Sequence, residues 1–290
     1  MGHQSRIPQS IAIVYHPQLP QADSEAVQIA AFLQERGIHH AIGTLDNADL
    51  GQQLTACEFE LMIALGGDGT MLRAGRFCAP LDIPIMGVNM GHFGFLYETQ
   101  RLCWRENLSL LLEGNYWLEK RMLLHASLHR QDQELGAWDV LNDVVVCRGM
   151  IVRPVRLTAY VDGYLLTTYV ADGLIASTAT GSTAYALAVG GPILPPELRN
   201  ILIIPVAPHL SVNRAIILAD GASVCITVNT THEAVASIDG QAPIPMLDGD
   251  QMHVIANGHT LNFVRFQDPG YFYRNLTTHM EHNPSSGASK

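Results

Sequence analysis

Leu61-Met-Ile-Ala-Leu-Gly-Gly-Asp-Gly-Thr70 decides how the chain is read. Five apolar residues run into glycines at 66, 67 and 69, and one carboxylate, Asp68, stands among them. A short apolar run bounded by glycine reads as a buried strand. Thr70 to Ala79 reads as the helix that follows. An acid is then held at a strand tip, where a helix begins and backbone N–H groups point outward. Such a place suits phosphate. A carboxylate there repels phosphate, so it needs a task that outweighs the repulsion, and accepting a proton from an attacking hydroxyl is one.

The pattern extends on both sides. Ile11 to Tyr15 reads as a strand, and Asp23 to Arg36 as a helix with Ala26, Ile29, Ala30 and Leu33 on one face and Gly37 as its stop. Ile83 to Val88 is a further strand, leading into Gly91-His-Phe-Gly-Phe-Leu96, and Glu106 to Glu113 has helical spacing. Alternating strands and helices predict a parallel α/β sheet over about the first 115 residues. From Trp117 the character changes to short β-rich runs: 123–129, 140–147, 153–161, 164–170, 201–206, 215–218, 223–228, 234–238, 252–256 and 261–266. Asp162-Gly163, Asp220-Gly221, Asp248-Gly249 and Asn257-Gly258 read as turns between them, which predicts an antiparallel β domain. Thr183 to Val189 is the exception, Ala-rich and helical, stopped by Gly190-Gly191-Pro192. The tail from about His279 is polar and reads as mobile.

Composition narrows the function. The 290 residues are 48% hydrophobic and 15% charged, enough for two domains with sizeable cores. No apolar run approaches the roughly 18 residues of a membrane span, and Met1 to Ser10 lacks the apolar core of a signal peptide, which reads as a cytoplasmic protein. The net charge of −10 argues against nucleic acid or an anionic membrane as partner. Cys57, Cys78, Cys103, Cys147 and Cys225 are odd in number and far apart, which argues against disulfides and structural zinc; they read as buried small hydrophobes. Lys120 and Lys290 are the only lysines, neither follows a glycine-rich loop, and a Walker A loop is therefore absent. A lysine Schiff base is disfavoured for the same reason. Phosphate, if bound, must be neutralised by arginine, backbone amides and a metal ion.

Four constellations carry chemistry. In Gly66 to Thr70 the glycines allow close approach of a ligand, and Thr70 caps the helix or binds phosphate; the structural alternative is a tight turn with Asp68 as N-cap. Arg73 reads as lying in the first helical turn, where the dipole disfavours a cation, with Arg76 on the same face. Either an anion offsets that cost, or Arg73 pairs with a surface acid. In Gly87-Val-Asn-Met-Gly-His-Phe-Gly-Phe-Leu96, Asn89 and the glycines form a loop for close approach, or a structural turn packing Phe93 and Phe95. In Leu141-Asn-Asp-Val144, Asn142 and Asp143 are polar within an apolar run; they read ribose hydroxyls or mark a strand end. In Ala171 to Tyr185 a strand enters a Ser/Thr-rich loop that opens the lone helix. Its hydroxyls offer donors and acceptors, Tyr185 offers a stacking face, and Ser182 or Thr183 reads as the N-cap. Ile238-Asp-Gly-Gln241 reads first as a hairpin turn. Pro208-His-Leu-Ser211 is weaker still, and none of the thirteen histidines has zinc-ligand spacing.

In this order the motifs resemble the NAD kinase family. The resemblance spans roughly residues 60–245: GGDGTMLRA from Gly66, GVNMGHFGFL from Gly87, LND from Leu141, DGLIASTATGSTAYALAVGGP from Asp172 and DGQ from Asp239. Diacylglycerol, sphingosine and phosphofructokinases share versions of the first motif, and a lipid or sugar kinase is the alternative it leaves. A non-catalytic NAD(P)-binding protein is another. The Asp172 run is the specific part. The resemblance implies transfer of the terminal phosphate of ATP to the adenosine ribose 2′-hydroxyl of NAD, a divalent cation such as Mg²⁺, and a homo-oligomer, dimer or tetramer. It implies an α/β N-terminal domain with a parallel Rossmann-like sheet (residues 1–117), an all-β β-sandwich domain that binds NAD (118–264), and a C-terminal segment returning to the first domain (265–290). Asp68 matches the catalytic base, and Gly66, Gly67, Gly69 and Thr70 the loop beside the ATP phosphates. Asn142 and Asp143 match the pair that holds NAD, and Asp172, Thr183, Ala184, Tyr185 and Gln241 match further contacts. Arg73 and Arg153 fall at ligand positions, and Asn89 lies in the second loop.

Some positions depart from the family. Many members have Glu where Asp143 stands. Val170 and Ala188 occupy ligand positions where several members carry a basic residue and a serine, which leaves fewer polar contacts. The chemistry fits independently of the resemblance, because phosphoryl transfer asks for positioning, charge neutralisation and an acid near the nucleophile. An Asp68 acting late, as the hydroxyl acidifies, needs no raised pKa.

Overall fold

The computed structural model describes residues 6–56, 58–91, 94–209 and 212–281. The elements begin β1 (Ser10–Tyr15), α1 (Pro20–Gln34), β2 (His39–Gly43), α2 (Ala48–Thr55), β3 (Leu61–Gly66), α3 (Asp68–Cys78), β4 (Ile85–Asn89), β5 (Thr99–Gln100), α4 (Trp104–Leu112) and β6 (Trp117–Arg130). They continue β7 (Gln133–Val140), β8 (Asp143–Arg148), β9 (Val155–Val161), β10 (Tyr164–Ala171), β11 (Gly173–Ser177), α5 (Tyr185–Ala188) and β12 (Ile201–Val206). Last come β13 (Ile216–Leu218), β14 (Ser223–Val228), β15 (Ala234–Ile238), β16 (Ile244–Met246), β17 (Gln251–Arg265) and α6 (Tyr271–Glu281). The chain divides into a first unit, 1–120 with 260–290, and a second, 121–259. The sequence suggests breaks after 117 and 264. The divisions fall inside β6 and β17, at 120/121 and 259/260.

The first unit holds a parallel sheet in the order β2-β1-β3-β4, with β5 and the end of β17 both beside β4. Leu61 to Leu65 are buried along all of β3, as expected of a strand covered on both faces. Each large side chain buried this way contributes about 1.5–3 kcal/mol. Ile11, Ile13, Ile63, Leu65, Met86 and Val88 meet Ile29, Phe32 and Leu33 of α1 and Trp104 and Leu108 of α4. The second unit holds two antiparallel layers. One runs β13-β12-β11-β8-β15-β16; the other joins β10, β9, β14 and β17, with β6 and β7 beyond. Alternation sorts the β8 side chains: Val144 and Val146 enter the core shared by both layers, and Val145 meets Ala179, Ala186 and Leu194 on the opposite face.

Several expectations are corrected. Asn257-Gly258 is no turn: β17 runs straight through it, because Asn257 Nδ2 donates to Asp139 and its Oδ1 accepts from the His259 N–H. The 183–189 helix is a 3₁₀ turn, Thr180–Thr183, and a single α-turn, Tyr185–Ala188, separated by Ala184 at φ −100°, ψ −125°. α3 starts two residues early, with Gly67 rather than Asp68 as N-cap. α6 carries helix through Glu281, past the expected start of the mobile tail; residues 282–290 lie outside the described residues. Of the four described cysteines, all free, only Cys78 is buried and Cys103 is exposed. Cys57, His92, Phe93, Leu210 and Ser211, each part of a reading above, also lie outside the described residues.

Candidate active site

In the first unit the strand order reverses between β1 and β3, and the crevice outside the carboxyl ends of such strands is where open α/β sheets bind ligands. A cavity of about 170 Å³ lies there, lined by Tyr15, His16 and Pro17 after β1, Leu45 and Asp46 after β2, and Gly69, Thr70 and Arg73 after β3. Gly66 ends β3 in register with Asn89 at the end of β4. Asn89 is buried, and its Oδ1 accepts from the Gly91 N–H at 2.9 Å. A Cβ on Gly66 would overlap the Thr70 hydroxyl. That hydroxyl is buried and has no hydrogen-bond partner among the described residues.

Asp68 keeps open surface, yet the protein crowded round its carboxyl strips enough water away to push its pKa up to about 6. That is higher than a late-acting base requires. Gly94, buried, backs the carboxyl so closely that a Cβ there would collide with it. Tyr97 donates its hydroxyl to the Gly67 carbonyl at 2.7 Å, and its pKa is raised well above the usual value by burial and then by the Asp68 charge. With the helix starting at Asp68, Arg73 lies in the second turn, not the first. It pairs with Asp46 at 2.5 Å on the rim of the cavity, which is the surface-acid alternative.

In the second unit Asn142 lies in the tight connection from β7 to β8 and Asp143 is the first residue of β8, so they mark a strand end and not a strand interior. Asp239 fixes them. Its carboxylate accepts from the N–H groups of Leu141 (3.1 Å), Asn142 (2.7 Å) and Asp143 (3.3 Å). Asp239 itself sits at φ +47° beside Gly240 at φ +68°, the positive pair of a tight hairpin turn. The Asp143 carboxyl is buried and raised to about 7, by desolvation first and the Asp239 charge second, while the Tyr185 N–H pulls it down. Asp143, Tyr185 and Asp172 are thus neighbours, since the Tyr185 phenol, raised mainly by burial, also feels the charges of Cys147, Asp172 and Asp143. Asp172 pairs with Arg148 at 3.2 Å.

The hydroxyls of the Ser/Thr-rich loop make internal hydrogen bonds. Ser177 and Thr178 donate to the carbonyls of Asn142 and Leu141, Ser182 to Ala179 O and Thr183 to Thr180 O. Ser182 accepts from the Leu194 N–H, and Thr180 from Arg121. A loop passing over a sheet must satisfy its buried polar groups internally. Tyr185 and Ala188 are exposed. Gln241 is exposed beyond the Asp239 turn, and its carbonyl accepts from Ser237. Arg153 and Val170 line another cavity, about 560 Å³, with Arg156, Asn229, Thr230, His232 and Asp248. The structure therefore gathers Asp68, the glycine loop, Thr70, Arg73 and Asn89 in the first unit. In the second it gathers Asn142, Asp143, Asp172 and Tyr185, and separately Arg153 with Val170. Sequence reasoning missed Gly94, Tyr97 and Arg148. Gly94 lay inside a quoted glycine motif; Arg148 had only its charge at the end of an apolar strand as a signal.

The ATP-NAD kinase N-terminal domain family matches residues 46–116, and the ATP-NAD kinase C-terminal domain family matches residues 141–266. An NAD kinase of Dehalococcoides mccartyi is 37% identical over 279 residues, covering 95% of this chain and 97% of the relative. The chain belongs to the NAD kinase family. An NAD kinase of Chloroflexus aggregans is 36% identical over 270 residues, covering 93% and 98%. Two solved structures share the fold. Yeast NADH kinase complexed with NADH has a TM-score of 0.82 at 22% identity, covering 98% of this chain and 91% of that one. An NAD kinase from Archaeoglobus fulgidus in complex with ATP has a TM-score of 0.75 at 23% identity, covering 94% and 99%. As a member of the NAD kinase family the chain is a phosphotransferase acting on NAD with ATP.

Proposed function

We propose that Asp68 is the base of this NAD kinase, taking the proton from the adenosine ribose 2′-hydroxyl of NAD as that oxygen attacks the terminal phosphorus of ATP. The product is NADP, and ADP leaves. One observation carries the reading: an open carboxyl beside a strand-end crevice, raised to about 6, is ionised near neutral pH and basic enough to accept a proton. The amides around Gly69, the Thr70 hydroxyl and Arg73 line the phosphate side. In the second unit Asn142 and Asp143 hold ribose hydroxyls, Tyr185 offers a stacking face, and Asp172, Thr183, Ala184, Gln241, Arg153, Val170 and Ala188 complete the NAD contacts.

A divalent cation belongs to this reading. Among the described residues no three His, Cys, Asp or Glu side chains are gathered to hold a metal. The cation would arrive with the nucleotide and be held chiefly by phosphate oxygens and water. Such an ion neutralises charge on the transferring phosphoryl group. The Asp46 and Asp68 carboxylates and the Thr70 hydroxyl are oxygen donors in this region. We also read the chain as a cytoplasmic homo-oligomer, dimer or tetramer, with neither nucleic acid nor membrane as partner. Among the described residues no helix is long and apolar enough to cross a membrane.

The test is Asp68→Asn. The variant should fold, keep its affinity for NAD and lose NADP formation; NADP made at the wild-type rate would remove Asp68 from the role.

A further inference from the structure

Tyr97 stands one residue beyond the Gly87–Leu96 stretch. Its side chain is 4% exposed. The ring occupies space left by Gly87, where a Cβ would lie 2.8 Å from both the ring Cδ1 and Met71 Sδ. The hydroxyl reaches the Gly67 carbonyl at 2.7 Å. That carbonyl also accepts the N–H groups of Thr70 (2.7 Å) and Met71 (3.3 Å), which close the first turn of α3. A peptide unit is planar, so holding Gly67 O also holds the Asp68 N–H and the line along which the Asp68 Cα departs.

We propose that Tyr97 is a positioning residue for phosphoryl transfer: its hydroxyl locks the Gly67–Asp68 peptide and so sets where the Asp68 carboxylate stands against the attacking alcohol. The inference rests on Asp68 being the base. A packing role would need only the ring of Tyr97, whereas positioning needs the hydroxyl. Removing the hydroxyl leaves Gly67 O with two N–H donors from α3, so the helix persists. The loss falls on the alignment of the carboxylate, and small misplacements of a catalytic group are expensive in rate.

The experiment compares Tyr97→Phe, Tyr97→4-aminophenylalanine and Asp68→Asn by steady-state kinetics in both substrates and by thermal melting. Tyr97→Phe should lower kcat on the order of tenfold, with KM for ATP and NAD and the melting temperature unchanged. The 4-amino variant restores a donor at the same place and should recover kcat. Wild-type kcat in Tyr97→Phe, a defect confined to KM, a protein that does not fold, or no recovery with the amino group would each overturn the inference. Asp68→Asn separates the two ideas. If it turns over, the base assignment fails and positioning with it; if it is inactive while Tyr97→Phe is fully active, only the role of Tyr97 falls.

Discussion

Asp239 Oδ1 accepts the Asn142 N–H at 2.7 Å, so a hairpin at the end of β15 holds the turn that leads into β8. The same carboxylate takes two further backbone donors, from Leu141 and Asp143. Asp239→Asn tolerates the positive φ but turns an N–H₂ toward at least one of these donors. We expect a lower melting temperature and a KM for NAD raised several-fold, with KM for ATP unchanged. Equal effects on both KM values would show that the turn serves the fold alone.

The pH dependence follows from Asp68. Below its pKa the carboxyl already carries a proton and cannot take another, so kcat/KM should rise with pH through about 6 and then level off. Stability runs the other way. The folded protein binds this proton more tightly than the unfolded chain does. The resulting stabilisation is complete below the ordinary carboxylate range and is lost as pH rises through about 6. Asp68→Asn should therefore melt above the wild type at pH 8, and the two should converge at pH 3. Melting curves at both pH values check the sign.

Gly94→Ala places a methyl against the Asp68 carboxyl, 2.8 Å from its Cγ and Oδ2. The carboxylate must swing away. A drop in kcat on the order of 100-fold is expected, with little change in far-ultraviolet circular dichroism. Wild-type kcat in this variant would mean that the carboxyl has room elsewhere.

Thr70→Val removes a buried hydroxyl that has no partner among the described residues. Its loss should leave melting unchanged or raise it, because an unmade buried hydrogen bond is a burden. If the hydroxyl serves a phosphate, KM for ATP rises roughly threefold to tenfold, the scale of one hydrogen bond. Isothermal titration with ATP reads the same loss directly.

Glu119 and Arg265 are both buried and pair at 2.8 Å, and Tyr271 donates its hydroxyl to the same carboxylate. Arg265 also donates to the Leu96 carbonyl. Glu119→Gln strands the guanidinium, which should cost about 3–5 kcal/mol, read as a large fall in the denaturant midpoint.

The parts of the fold that were legible share a cause. β3, β12, β14 and β15 are short apolar or alternating runs with clear ends, and period alone marks them. β7 is polar and largely exposed and β5 has two residues, so pattern reasoning passed over them. Asn257-Gly258 has turn chemistry, and tertiary hydrogen bonds overrode it. At the site, Asp68 and the Asn142–Asp143 pair were visible because an acid among glycines or within an apolar run is out of place. In the Ser/Thr loop a hydroxyl that satisfies its own backbone looks the same in sequence as one that waits for a ligand. Tyr97 was invisible because nothing local shows that its hydroxyl reaches back thirty residues to Gly67.

The parallel sheet of the first unit gains a strand only when Phe263 settles beside Ile85, and the Glu119–Arg265 pair can form only once Arg265 exists. A ribosome working from the N-terminus therefore releases the whole of the second unit before the first has its last strand and Arg265. The half of the molecule that carries Asp68 is the first to be made and the last to be finished.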